Sequence, residues 1–183
     1  FSTLGCPNFS WVEIYSMAKD LGFRGIEIRG LGNEISAVRA QPFTESQLPE
    51  TVKKLSELRL EIPCLTSGNC LKYAENAEKN HAELVQYIDL AARLGTPYIR
   101  VLGDLEPHPI DEVDDEVVLA ALRRLIPVAE EKGVTLLVET NGVYTDTARL
   151  CRLLDQAASD AVAALWDMHH PYRFAGESPG QTV

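Results

Sequence analysis

The chain lacks any run of about 18 uninterrupted apolar residues, which excludes a membrane-spanning helix of ordinary length. It also lacks a basic excess: 17 Lys and Arg stand against 27 Asp and Glu, a formal net charge of −10. Nucleic-acid surfaces normally need such an excess, so nucleic acid is not an expected partner, and neither is a membrane. No two cysteines have Cys-x-x-Cys spacing. Cys6, Cys64, Cys70 and Cys151 therefore point neither to a structural zinc site nor to a thioredoxin-type redox pair. All four are expected to be buried small hydrophobes in a reduced compartment. Cys64 and Cys70 flank an apparent strand end, where a thiol near a pocket is the alternative. Residues Phe1 to Asn8 show no basic start followed by an apolar run, so no secretory leader is expected and the expected location is cytoplasmic. The first residue is not Met, and the natural N-terminus is expected to lie upstream. What is present is 45% hydrophobic and 24% charged residues in a chain of 183. That excludes intrinsic disorder and allows one sizeable core.

Short β-branched apolar runs alternate with longer amphipathic stretches. The runs predict strands at Phe1–Leu4, Gly25–Arg29, Ile62–Thr66, Tyr98–Leu102, Val134–Glu139 and Ala163–Asp167. Between them the spacing predicts helices over Trp11–Leu21 (capped by Ser10), Ser46–Leu58, Asn76–Leu94, Glu116–Lys132 and Thr145–Ala157. Gly22, Gly95 and Gly133 close three of these helices, each able to take the left-handed conformation that ends one. Strands alternating with helices imply a parallel sheet. The repeat of roughly 35 residues suits a (β/α)8 barrel of about 250 residues. Six units also suit an open doubly wound sheet, but the dinucleotide motif that such a sheet carries is missing: Cys6-Pro7-Asn8 has no glycines, and Gly30-Leu31-Gly32 lacks the third. The acidic stretch Asp104–Glu116 reads as a solvated loop running into a helix, its acids favouring the positive helix end. It lacks the Gly and terminal Glu of an EF-hand loop.

In parallel β-α folds chemistry gathers at the carboxyl ends of strands. Those ends carry Glu27 and Arg29; Thr66, Ser67 and Asn69; Arg100 and Gly103; Glu139 and Asn141; Asp167, His169 and His170. Glu139 follows an apolar strand, where a carboxylate needs an ion pair (Arg100 or Arg29) or a cation. Asp167 at a strand end could simply cap the next helix, and His169 and His170 could be loop residues. Neighbouring strand ends lie about 5 Å apart, so Glu139 and Asp167 would share a pocket. Two carboxylates that close repel unless a proton or metal lies between them. Oxygen donors with an added imidazole suit Mn²⁺, Mg²⁺, Co²⁺ or Zn²⁺.

Phe1-Ser2-Thr3-Leu4-Gly5-Cys6-Pro7, Gly22-Phe23-Arg24-Gly25-Ile26-Glu27-Ile28-Arg29, Val138-Glu139 and Asp167-Met168-His169-His170 together resemble the sugar phosphate isomerase/epimerase family, the xylose isomerase-like TIM barrels. That group includes tagatose-type epimerases, hydroxypyruvate isomerases, inosose isomerases and dehydratases, and endonuclease IV. The resemblance implies that residues 1–183 form one partial barrel of about six β-α units, and that the natural protein is roughly one-third longer. It implies a divalent-metal-dependent sugar or sugar phosphate isomerase or epimerase acting through an enediolate. Glu139 would be metal ligand and acid/base, Asp167 a metal ligand, and His170 a substrate contact. The family's seventh-strand His and eighth-strand Glu have no counterpart before Val183. Glu27 is expected to pair with a nearby Arg, His169 and Arg173 have no clear match, and His81 and His108 read as surface residues. The expected partner is a small sugar, with self-association left open. A keto-inositol dehydratase shares the chemistry. An endonuclease IV-like enzyme conflicts with the net charge, and an inactive fragment or binding domain is the non-enzymatic alternative.

Overall fold

In the computed structural model, which describes residues 1–182, four parallel strands form the continuous part of the sheet. They are β1 (Cys64–Cys70), β2 (Tyr98–Leu102), β3 (Thr135–Glu139) and β4 (Val162–Leu165), in the order β1-β2-β3-β4. Before and between them run helices α1 (Trp11–Asp20), α2 (Leu48–Leu58), α3 (Ala77–Leu94), α4 (Asp115–Lys132) and α5 (Thr147–Ala157), with a short α6 (Pro179–Thr182) last. Successive helices pack on each other, α3 on α4 and α4 on α5, and each also touches the sheet. They therefore lie on the same side of it, as in an arc of a barrel rather than a doubly wound sheet.

Two predicted strands are not continuous ladders. Phe1–Leu4 touches the sheet at a single bridge, Ser2 to Glu27, because Thr3–Gly5 curls into a 3₁₀ turn started by Ser2. Gly25–Arg29 bridges Glu61 and Leu65 on its other side. There Thr3 Oγ1 accepts from Arg29 N–H at 2.8 Å and donates to the Gly30 carbonyl at 2.9 Å, so a side chain replaces the ladder. The strand predicted at Ile62–Thr66 lies later, at Cys64–Cys70. Its Ser67, Gly68 and Asn69 resemble a loop in sequence, yet Ser67 and Asn69 are buried.

The helices follow local chemistry closely. Ser10 and Glu13 form a reciprocal capping box on α1. Pro49 sits in the first turn of α2, which starts two residues later than predicted. Gly142–Thr145 makes a 3₁₀ turn, so α5 begins at Thr147 under an Asp146 cap. Gly95 and Gly133 end α3 and α4 in the left-handed region. Arg59 and Ala158 do the same without being glycine. The apolar faces of β1, β2 and β3 (Leu65, Ile99, Val101, Leu136 and Val138) are fully buried beneath Leu84, Ile88, Val118 and Leu122 of α3 and α4. Polar groups gather instead at the strand ends and on the opposite face, where Thr66 and Arg100 lie.

Candidate metal centre

Glu139 ends β3 and Asp167 lies two residues beyond β4. One ligating atom each from Glu139, Asp167 and His170 falls within 4.8 Å of the others, and all three residues are half-buried. Each of the three has one polar atom held by the protein and another left over. Arg100 Nε donates to Glu139 Oε2, and its guanidinium also donates to the Ser67 carbonyl at 3.0 Å. Asp167 Oδ1 accepts from the backbone N–H groups of His169 and His170 at 2.7 and 3.1 Å. His170 Nδ1 lies 3.2 Å from the Thr140 carbonyl, and Nε2 lies 3.8 Å from Asp167 Oδ2. The structural alternatives read from the sequence are thus real: Glu139 has its arginine, and Asp167 starts the next turn. They occupy only half of each carboxylate.

This donor set fits a divalent cation. Donors on one ion at about 2.0–2.3 Å lie at most roughly 4.5 Å apart, so a small inward movement suffices. The two carboxylate oxygens, with the His170 imidazole beside them to meet the cation or an oxygen bound to it, suit Mg²⁺, Mn²⁺, Co²⁺ or Zn²⁺. Arg100 alone cannot neutralise both acids, so the pair retains a net negative charge that a cation would balance.

Other strand-end residues turn out differently. Glu27 accepts from the Thr66 hydroxyl, so the expected arginine pairing is replaced by a hydroxyl. Arg29 has no acidic partner among the described residues. Asn69 donates to Asn80 and Glu83, and Ser67 Oγ donates to the Arg100 carbonyl at 2.8 Å; both serve the scaffold. Asn141 donates to the carbonyls of Asp104 and Leu105, both at 3.0 Å. His108 is exposed as expected, but its ring lies 5.4 Å from that of Phe174. Phe174 also meets the rings of His169 and His170 at 6.2 and 5.9 Å, which brings the loop after β2 over the centre. His81 is half-buried rather than at the surface, and its Nδ1 has no partner among the described residues. Arg173 is exposed.

The solvated-loop reading of the acidic stretch fails at its first residue. Asp104 is 1% exposed. Its carboxylate accepts from Lys72 Nζ at 2.7 Å, Leu105 N–H at 2.8 Å and Val143 N–H at 2.9 Å. Gly142 makes room for it: a Cβ there would lie 2.5 Å from Asp104 Cβ. Gly103 makes room for Tyr144 in the same way, with ring atom Cδ2 at 2.6 Å from a Cβ. Tyr144 in turn donates to Asp115, which Arg149 clamps at 2.9 Å. Burial and the adjacent Asp115 both push the Tyr144 hydroxyl up, keeping it a donor. The three loops that surround the centre are therefore stitched by buried polar bonds. The available signal was Gly103-Asp104 directly after a strand. Its partner Lys72 is distant in sequence and gave none.

The cysteines follow expectation in part. Cys6 and Cys70 are buried, Cys64 is half-buried, and Cys151 is exposed because it faces outward on α5. Burial, assisted by the charge of Glu27, pushes the Cys64 thiol up to about 11, so it is not a poised nucleophile.

A family model described as xylose isomerase-like TIM barrel matches residues 15–182. The C-glycoside deglycosidase alpha subunit of Arthrobacter globiformis is 27% identical over 160 residues, which cover 76% of this chain and 40% of that protein. The chain thus spans well under half the length of this curated relative. A xylose isomerase-like TIM barrel protein from Mycobacterium smegmatis, solved in complex with magnesium, superposes with a TM-score of 0.73 at 19% identity, over 97% of this chain and 67% of that one. The 3-keto-D-glucoside 4-epimerase of E. coli superposes with a TM-score of 0.69 at 18% identity, over 88% and 65%.

Proposed function

Because the chain belongs to the xylose isomerase-like TIM barrel family, we propose that it carries the metal centre of a divalent-metal-dependent isomerase or epimerase acting on a sugar or sugar phosphate. The observation that carries this reading is the convergence of Glu139, Asp167 and His170, each with one anchored and one uncommitted polar atom. Two similar proteins bear names that concern sugars, a C-glycoside deglycosidase subunit and a keto-glucoside epimerase, which supports a carbohydrate substrate. A DNA-directed enzyme fits the net charge of −10 poorly.

When bound, the cation would polarise the substrate carbonyl as a Lewis acid and lower the cost of removing a proton from the adjacent carbon. Glu139 and Asp167 would hold that cation. Arg100 keeps Oε2 of Glu139 fixed, and the carboxylate, a ligand through its other oxygen, would also be the group that takes the proton and returns it to a different carbon or face. His170, its ring set by the Thr140 carbonyl, orients a substrate oxygen.

The test uses the full-length protein with a panel of keto sugars and their phosphates. Turnover should vanish after exhaustive chelation and return with Mn²⁺ or Co²⁺. Glu139→Gln and Asp167→Asn should each lower it by at least about a hundredfold, the first by loss of acid-base catalysis and the second by loss of a metal ligand. Turnover that survives chelation refutes the reading. Product mass separates isomerisation from dehydration, since only dehydration changes it.

A further inference from the structure

We propose that Thr140 is the positioning residue of this centre, setting both the Asp167 carboxylate and the tautomer of His170; the proposal rests on the metal-dependent reading above. Thr140 is 2% exposed and directly follows Glu139. Its backbone N–H donates to the Leu165 carbonyl at 3.0 Å, the last ladder bond between β3 and β4. Beyond Leu165 the chain leaves the strand, and the Thr140 hydroxyl takes over the ladder. Its Oγ1 accepts from Asp167 N–H at 2.8 Å and donates to the Asp167 carbonyl at 3.3 Å. One hydroxyl thus holds both backbone groups of the residue that carries the second carboxylate. With that backbone fixed, Asp167 Oδ1 reaches the N–H groups of His169 and His170, and Oδ2 is left facing His170.

The Thr140 carbonyl does the second part. A carbonyl oxygen only accepts, so the His170 Nδ1 that meets it at 3.2 Å carries the proton. In the neutral ring the lone pair is then on Nε2, on the side of Asp167 Oδ2. This is the arrangement by which an outer partner orients an imidazole at a metal site. Two of the three members of the cluster are aligned through one residue that itself offers the cation nothing. A β-branched side chain serves well here, because its restricted χ1 holds the hydroxyl in place.

Thr140→Val keeps the shape and removes the hydroxyl, and Thr140→Ser keeps the hydroxyl. In the full-length protein, Mn²⁺ added without substrate and followed by electron paramagnetic resonance should bind Thr140→Val at least about tenfold more weakly than the parent, and Thr140→Ser within about twofold. In the metal-free protein, ¹⁵N spectra of His170 should show the Nδ1-protonated tautomer in the parent and in Thr140→Ser, and a mixture in Thr140→Val, where the carbonyl remains but an Asp167 freed from the hydroxyl no longer holds the His170 backbone in place beside it. If Thr140→Val does not fold, Thr140→Ala carries the same comparison. Unchanged Mn²⁺ affinity together with an unchanged tautomer overturns the proposal. If the parent itself binds no Mn²⁺, the metal reading fails. The positioning role is then decided by the ¹⁵N spectra alone: a shifted tautomer in Thr140→Val upholds it, and an unshifted one removes it.

Discussion

Replacing Gly142 by alanine should be far more damaging than the same change at Gly133, although both glycines are left-handed, at φ +57° and +66°. At Gly133 a new Cβ meets nothing within 4 Å. The cost there is the backbone strain of a non-glycine residue in this region, offset in part by lower chain entropy in the unfolded state, for a net of about 1 kcal/mol. At Gly142 the same strain is joined by a collision with the Asp104 side chain, whose Cβ would lie 2.5 Å away. Asp104 has nowhere to go, since it is 1% exposed and held by Lys72 and two backbone N–H groups. Displacing it breaks a buried ion pair, which costs about 3 kcal/mol or more. With about 2–4 °C of Tm per kcal/mol for a chain of this size, Gly133→Ala should melt about 3 °C lower and Gly142→Ala roughly 12 °C lower. The Gly142→Ala/Asp104→Gly double variant should be clearly less than additive, because the second change removes the whole obstructing side chain, Cβ included. Thermal melts by circular dichroism decide the matter. If the two single variants melt within about 2 °C of each other, the keyed fit of Gly142 and Asp104 does not matter energetically.

Ala158 ends α5 at φ +51° in an exposed position, so Ala158→Gly should raise Tm by about 2 °C, and a fall would contradict the strain assigned to it. Iodoacetamide at about pH 8 should label Cys151 in the native protein and leave Cys64, held up to about 11, and buried Cys6 and Cys70 untouched until denaturant is added; mass spectrometry of the native adduct checks this. Burial by itself would raise the Glu83 carboxyl, but hydrogen bonds from Ser36 and Asn69 and the charge of Arg39 outweigh it and hold the carboxyl below its ordinary range. A carboxyl lowered by folding contributes stability that is full above its unfolded pKa and is lost as pH falls through the folded one. Glu83→Gln should therefore lower Tm near neutral pH, and the gap to the parent should shrink between about pH 5 and pH 3; a gap constant over that range refutes the assignment.

The helices were legible because their signals are local: Ser10 with Glu13 and the glycines at 95 and 133 act within one turn of the residues they cap. Tyr98–Leu102 appeared with the boundaries its apolar run suggested. Cys64–Cys70 did not, since a buried strand can carry Thr, Ser and Asn wherever neighbouring strands and helices satisfy them, and those partners are remote in sequence. The first two strands were overestimated because a single hydroxyl, Thr3 Oγ1, competes with the ladder. At the centre, Glu139, Asp167 and His170 were visible as strand-end polar residues in adjacent units. Thr140 was not singled out, because a threonine after a strand is unremarkable until its hydroxyl is seen to span two elements. Lys72 was invisible for the same reason, its partner being 32 positions away.

The interlocked turns at Gly103-Asp104 and Gly142-Val143-Tyr144 limit how this rim can be re-engineered. A transplant that carries only one of them brings a side chain into space its counterpart already fills. The two must be exchanged as a pair, together with Lys72. The intervening tip, residues 105–112, is exposed throughout, and offers a stretch where new contacts can be installed without disturbing the foundations beneath.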